Sequence, residues 1–327
     1  MHLDQNNTKE LTGYLRQTGL ILPGETLTGA EKAGEGNMNY TLRIRTADRT
    51  FILKQARPYV EKYPSIPAPV ERAGMEAAFF KVAAAWAGVG ELLPSLLFFD
   101  PENHIQAIED LGEGADFTAY YKRENPFPEA VLGTLTGFLR ALHSNSAAAS
   151  PGVDFSNRGM RELNHLHIFD FPFQPDNKFP LEDIQPGLQT VAARTIFNQP
   201  GLRERTLALG QRYLADGDTL LHGDFFPGSW LWTDNGAFVI DPEFCFLGES
   251  AFDLGVFLAH LRFCGVEWPR AIAALETGYG AFDPKAVQAF AAVEILRRLY
   301  GVAQLPLDMT PEEKEALTLE VLPHLAA

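Results

Sequence analysis

Between Leu220 and Asp253 the chain reads LLHGDFFPGSWLWTDNGAFVIDPEFCFLGESAFD. His222-Gly223-Asp224 precede a turn and a short apolar run. A second turn falls at Thr233-Asp234-Asn235-Gly236, and Ala237-Phe238-Val239-Ile240 lead into Asp241-Pro242-Glu243. The pattern predicts a hairpin with acidic groups at both ends opening on one edge. Such a set suits phosphoryl transfer: one carboxylate orients a hydroxyl nucleophile and the others hold magnesium. Asp241 and Glu243, two residues apart in an extended segment, fall on one side of the chain.

Far upstream stands Gly34-Glu35-Gly36-Asn37-Met38-Asn39-Tyr40, then the alternating run Tyr40–Arg45, a polar turn at Ala47-Asp48-Arg49, and Thr50-Phe51-Ile52-Leu53-Lys54. This predicts a hairpin with glycines at its mouth. Gly34 and Gly36 let the backbone approach phosphates, and Asn37 and Asn39 tolerate left-handed geometry. An ordinary tight hairpin reads the same way. Three apolar residues before Lys54 suggest burial, and a buried lysine needs an anion. Glu71 and Glu76, on an alanine-rich helix beginning near Glu71, are the candidates. Five helical residues set them about 140° apart, so only one can face Lys54. Glu76, amid small and apolar neighbours, is favoured.

The elements that must carry these groups follow from periodicity. A helix is expected within residues 3–20, a proline-containing loop over 56–70, and strands at Ser95–Phe99 and His104–Ile108. The acidic, glycine-rich stretch from Ile108 to Gly114 is read as the connection between two lobes, residues 1–109 and 110–327. Val131, Leu132, Leu135, Phe138, Leu139 and Leu142 share one helical face. The segment 144–187 has little regular period. Its His165 and His167 invite a metal reading, but no carboxylate or cysteine cluster stands beside them, and Phe169–Phe173 reads as lobe packing or a substrate wall. Helical patterns resume over 188–214, 267–278 and 283–300 and from Pro311, and Asp253 sits where it could cap the helix that follows it.

Composition bounds the rest. A chain of 327 residues exceeds a usual single core, and 46% apolar with 21% charged residues is ordinary for a globular protein. The formal charge of −15 argues against broad nucleic-acid binding while leaving room for one nucleotide. Two cysteines, Cys245 and Cys264, make no disulfide framework. The polar start MHLDQNNTKE lacks the form of a signal peptide, and no apolar run reaches the ~18 residues of a membrane span, so a cytoplasmic protein without a membrane or nucleic-acid partner is expected. Oligomeric state is not readable.

Taken in order, the glycine hairpin, strand lysine, helix glutamate, connector, HGD and acidic motif resemble the protein-kinase-like small-molecule kinases, the group of aminoglycoside phosphotransferases, choline kinases and 5-methylthioribose kinases. GEGNMNY, LKQARPYV, VIDPEF, GESAFDLG and RRLYGVA are most similar to the 5-methylthioribose kinases. The resemblance implies an α+β, two-lobed fold with a small antiparallel sheet and a mainly helical second lobe. It implies ATP and magnesium as cofactors and a small-molecule hydroxyl as acceptor, with 5-methylthioribose leading over an aminoglycoside, a choline-like amine or another sugar. A nucleotide-binding pseudokinase acting as an interaction module is the alternative of another class. By the same resemblance Asp224 is catalytic, and Arg297 and Arg298 counter charge on the transferred group. Lys54, paired with Glu76, and the Gly34, Gly36, Asn37 and Asn39 loop hold phosphates, and backbone near Glu109 and Leu111 holds adenine. Asp241, Glu243 and Ser229 are assigned to the metal. Ser229 stands where most of the broader group has asparagine, and Phe225-Phe226-Pro227 replaces a leucine-histidine pair, which changes the wall beside the nucleophile.

Overall fold

Alternation along Tyr40–Thr46 and Thr50–Gln55 gives the first lobe a sheet with two unlike faces. In the computed structural model, which describes residues 1–34, 38–146 and 152–326, that sheet has five antiparallel strands. Their order is Leu27–Lys32, Tyr40–Thr46, Thr50–Gln55, Ile105–Glu109 and Leu96–Asp100. Leu42, Ile44, Phe51, Leu53, Ile105 and Ala107 pack on one face against Leu11, Tyr14 and Leu15 of the helix Thr8–Gln17. The residues between them, Ile52 and Lys54, face the helix Arg72–Ala83. Period two therefore separates an apolar core from the side that carries chemistry. Gly36 and Asn37 lie outside the described residues; Gly34 has a left-handed φ of 71°.

Two local readings need correcting. The helix expected within residues 3–20 is shorter because Asn7 caps its start, accepting from the Glu10 amide at 3.3 Å, and Gly19 at φ 73° follows its end. The segment 56–70 is not all loop: Tyr59–Val60 pairs with Tyr63–Pro67, and Arg57 braces the turn by bonding Glu61 at 3.1 Å. A ladder of only two strands can hold prolines, because its outer side needs no donor.

The second lobe is mainly helical. Ala251–Phe263 and Pro284–Tyr300 cross at its centre, brought close because Gly255 has no Cβ; one placed there would lie 2.5 Å from the Phe290 Cβ. Glu129–Asn145 flanks them. The hairpin Trp230–Thr233/Gly236–Val239 forms as expected, and Gly114–Asp116, from the connector, adds a third strand to it. Thr219–Leu221 pairs with Phe246–Gly248, so the HGD and DPE segments are gathered at one end of two small ladders.

Within 144–187, Arg158–His165 is helical and runs into a wide π turn at Leu166–Asp170. Phe169 and Phe173 are buried in the core, which is the packing role. His165 stacks near Phe169, and among the described residues no three His, Cys, Asp or Glu side chains are grouped to hold a metal. Among the described residues, no helix is long and apolar enough to cross a membrane.

Candidate active site

The HGD turn depends on a residue without a side chain. Gly223 adopts φ 86°, and a Cβ there would lie 2.2 Å from the Phe244 carbonyl oxygen. Asp253 holds this turn rather than capping its own helix: its buried carboxylate accepts from the amides of His222 at 2.7 Å and Gly223 at 3.0 Å, and meets His143 Nε2 at 3.3 Å. The His222 ring is buried, which pushes its pKa down, so it is neutral. Its Nε2–H donates to the Ile240 carbonyl at 3.0 Å, tying the HGD turn to the residue before Asp241. Ser229 completes the tie: its hydroxyl donates to the Asp224 carbonyl at 3.1 Å and its own carbonyl accepts from the Ile240 amide at 2.9 Å.

Across the cleft, Lys54 Nζ lies 2.6 Å from Glu76 Oε1 and 2.5 Å from Asp241 Oδ1. Burial works to lower the lysine pKa, but Asp241 and Glu76 outweigh it and hold the ammonium charged. Helix phase decides the partner: Glu76 is buried, whereas Glu71 is exposed at the helix start. Asp241 sits at φ 62°, ψ 49°, a costly conformation for a residue with a Cβ, and its side chain remains 43% exposed beside Lys54.

Glu243 points elsewhere. Its carboxylate accepts from Asn39 Nδ2 at 2.9 Å and pairs with Arg72 Nε at 3.1 Å; burial pushes its pKa up against the pull of Arg72 and Lys54. Arg72, fully buried, also donates to the Asn39 side chain at 3.0 Å, the Met38 carbonyl at 3.0 Å and the Pro69 carbonyl at 2.6 Å. This arginine thus ties the foot of the glycine loop to the DPE segment. The donor set fits magnesium through Asp241, which offers a partly exposed hard carboxylate oxygen, while the buried Ser229 hydroxyl is engaged with the Asp224 carbonyl; a magnesium site completed by phosphate oxygens needs no all-protein cage.

The adenine-side residues and the arginines complete the placement. The Glu109 carboxylate is turned outward, accepting from the Ser95 amide at 3.1 Å and hydroxyl at 2.9 Å, and the Glu109 amide donates to the Ser95 carbonyl at 2.9 Å, while Leu111 is half-buried. Arg298 Nη2 donates to Asp224 Oδ1 at 3.2 Å and Arg297 Nη2 lies 3.6 Å from the same oxygen. Burial raises the Asp224 pKa, and Arg298, then Arg297, pull it back. Of the three residues after Asp224, Phe225 is a core residue stacked on Phe138, and Phe226 alone forms the wall, under the Arg298 guanidinium at 5.1 Å.

Asp253, Arg72, Glu294 and His260 are the residues that sequence reasoning assigned no such part. Only Glu294 carried a signal, since its spacing of three and four from the arginine pair is that of helical ion pairs.

These two lobes, with the Lys54–Glu76 pair on the sheet side and HGD and DPE on the helical side, define a protein-kinase-like α+β fold. The chain belongs to the phosphotransferase enzyme family, whose profile matches residues 29–290. It is 30% identical over 257 residues to a methylthioribose kinase of Exiguobacterium sibiricum, covering 76% of this chain but 64% of that protein, so the chain spans less than two thirds of that relative's length. In fold it is similar to a spectinomycin phosphotransferase solved with ADP and spectinomycin, with a TM-score of 0.55 and 14% identity over 98% and 97% of the two chains. A choline/ethanolamine kinase family protein from Mesorhizobium loti gives a TM-score of 0.54 and 17% identity over 98% and 95%.

Proposed function

We propose that this protein transfers a phosphoryl group from ATP to a hydroxyl of a small metabolite, with 5-methylthioribose as the leading acceptor. The observation that carries the reading is the contact of Lys54 with Asp241 at 2.5 Å, together with His222 and Ser229, which bond the segment bearing Asp224 to the segment bearing Asp241; a division into lobes 1–109 and 110–327 belongs to the same reading. Lys54, held charged, pairs with phosphate oxygens, and main chain near Glu109–Leu111 takes the adenine. Asp241 and Ser229 would hold magnesium, with Glu243 placed to enter only by leaving Arg72. The positive charge needed against the phosphates would be supplied there by the magnesium that these residues hold. Asp224 positions the acceptor hydroxyl and takes its hydrogen bond. Arg297 and Arg298 stand beside Asp224 with their charge balanced by Asp224 and Glu294, a setting that suits a neutral acceptor such as a thio-sugar. The similarity to a methylthioribose kinase points the same way.

The test is coupled ADP release across sugars, aminoglycosides and amino alcohols. Turnover is expected with a neutral thio-sugar. Asp224→Ala should abolish it while leaving magnesium-ATP binding intact, and Asp241→Ala should weaken that binding. A thermal shift with magnesium-ATP but no turnover on any acceptor would overturn the kinase reading in favour of a nucleotide-binding interaction module.

A further inference from the structure

Behind the arginine pair lies a chain of buried polar side chains that phosphoryl transfer does not itself require. Glu294, 1% exposed, sits one helical turn before Arg297 and Arg298. Its Oε2 accepts from Arg297 Nε at 2.5 Å. Its Oε1 accepts from Arg297 Nη2 at 3.0 Å, from Arg298 Nε at 2.7 Å and from His260 Nε2 at 2.9 Å. His260, fully buried on the neighbouring helix, receives at Nδ1 the hydroxyl of Tyr121, 2.6 Å away and equally buried. Partners fix the tautomer: Tyr121 donates to Nδ1, so Nε2 carries the proton given to Glu294. Phe226 packs 5.3 Å from the His260 ring and 5.1 Å under Arg298, closing the cluster on the side of Asp224.

Two features separate this arrangement from an ordinary helical ion pair. Spacing of three and four brings both arginines within reach of Glu294, but here both turn their Nε edges to the one carboxylate at once, which leaves Arg298 Nη2 donating to Asp224 at 3.2 Å and Arg297 Nη2, shared with Glu294, 3.6 Å from the same oxygen. A long arginine side chain loses much rotamer freedom in being so held, and the buried acceptor for it must itself be fixed. His260 and Tyr121, reaching in from two other elements, do that. Charge is matched as well: two arginines against Glu294 and Asp224 leave the described cluster neutral.

We propose that Glu294, held by His260 and Tyr121, is the positioning residue that aims Arg297 and Arg298 at the acceptor side of Asp224. The proposal rests on the kinase reading for its consequence but not for its geometry. Glu294 touches no reacting atom; it sets where the two positive groups stand.

The experiment pairs steady-state kinetics with arginine side-chain NMR on the full chain. Glu294→Gln should lower kcat/KM for the acceptor on the order of 100-fold while the KM for magnesium-ATP stays within about twofold. His260→Leu should reproduce the loss, and His260→Gln, which returns an N–H donor, should recover most of it. In the unsubstituted protein the Nε–H resonances of Arg297 and Arg298, assigned through Arg297→Lys and Arg298→Lys, should be protected from exchange, lose protection in His260→Leu and keep it in His260→Gln. Should Glu294→Gln fail to fold, the two His260 variants decide. Equal kinetics in those variants, or unprotected arginine resonances in the unsubstituted protein, overturns the proposal. If no acceptor is turned over, the kinase reading fails, and the resonances alone then uphold or overturn the positioning of the arginines.

Discussion

Asp253→Asn changes two atoms' chemistry and almost no volume, and it strikes the turn that carries Asp224. The native carboxylate accepts two main-chain amides, at 2.7 Å and 3.0 Å, in a fully buried site. Asparagine keeps one accepting oxygen and turns an NH2 toward the other donor. One charge-assisted hydrogen bond is lost and one buried N–H is left unpaired, a cost of about 3 kcal/mol. The turn cannot relax locally, because Gly223 is already confined at φ 86° against the Phe244 carbonyl. The strain therefore passes to Asp224, where a shift of about 1 Å is expected to lower kcat on the order of 100-fold. Urea unfolding followed by tryptophan fluorescence, with buried Trp230 close to the site, reads the first quantity, and ADP release at saturating magnesium-ATP reads the second. Lost stability with kcat kept within about threefold would refute the clamp's part in positioning Asp224. Unchanged stability would refute the hydrogen-bond reasoning itself.

Arg72→Ala should destabilise the protein by about 3–5 kcal/mol in urea unfolding, because it strands the buried Glu243 carboxylate, and should raise the KM for magnesium-ATP by loosening Asn39. His260 gives a pH test. Burial lowers its folded pKa to about 4 from an ordinary 6.5, so between those values the unfolded chain binds a proton that the folded chain refuses. Its contribution is therefore full above pH 6.5 and falls as pH drops toward 4, by about 3 kcal/mol in all. Unfolding measured across that range should show a steeper loss on acidification in the unsubstituted protein than in His260→Gln, and parallel curves would contradict the assignment.

Much of the site could be read from residue type and order. His222-Gly223-Asp224 and Asp241-Pro242-Glu243 stand on either side of a hairpin whose turn residues announce it, and alternation along Thr50–Gln55 puts Lys54 opposite the apolar face. Helix phase separated Glu76 from Glu71. These inferences concern groups within one element or one hairpin, where backbone period fixes direction. Asp253 misled because a carboxylate in the first turn of a helix has an ordinary local use, capping, and only the HGD turn about 30 residues away in sequence supplies the amides it serves instead. For Glu243 the spacing from Asp241 could not show its protein partners: Arg72 and Asn39, the latter 204 residues distant, bond its carboxylate in this structure.

From the sequence by itself, local period and turn chemistry placed the elements and the chemical groups that phosphoryl transfer would use, and motif order carried the resemblance that implied the two-lobed α+β fold and the family. Tertiary structure decided which buried charge answers which. Lys54 takes Asp241 as well as Glu76; Arg72 takes Glu243; Glu294 takes both Arg297 and Arg298 and is itself held by His260. A charge removed from water must find its counterpart among whatever side chains the packing brings within about 3 Å, and that selection is made between elements distant in sequence.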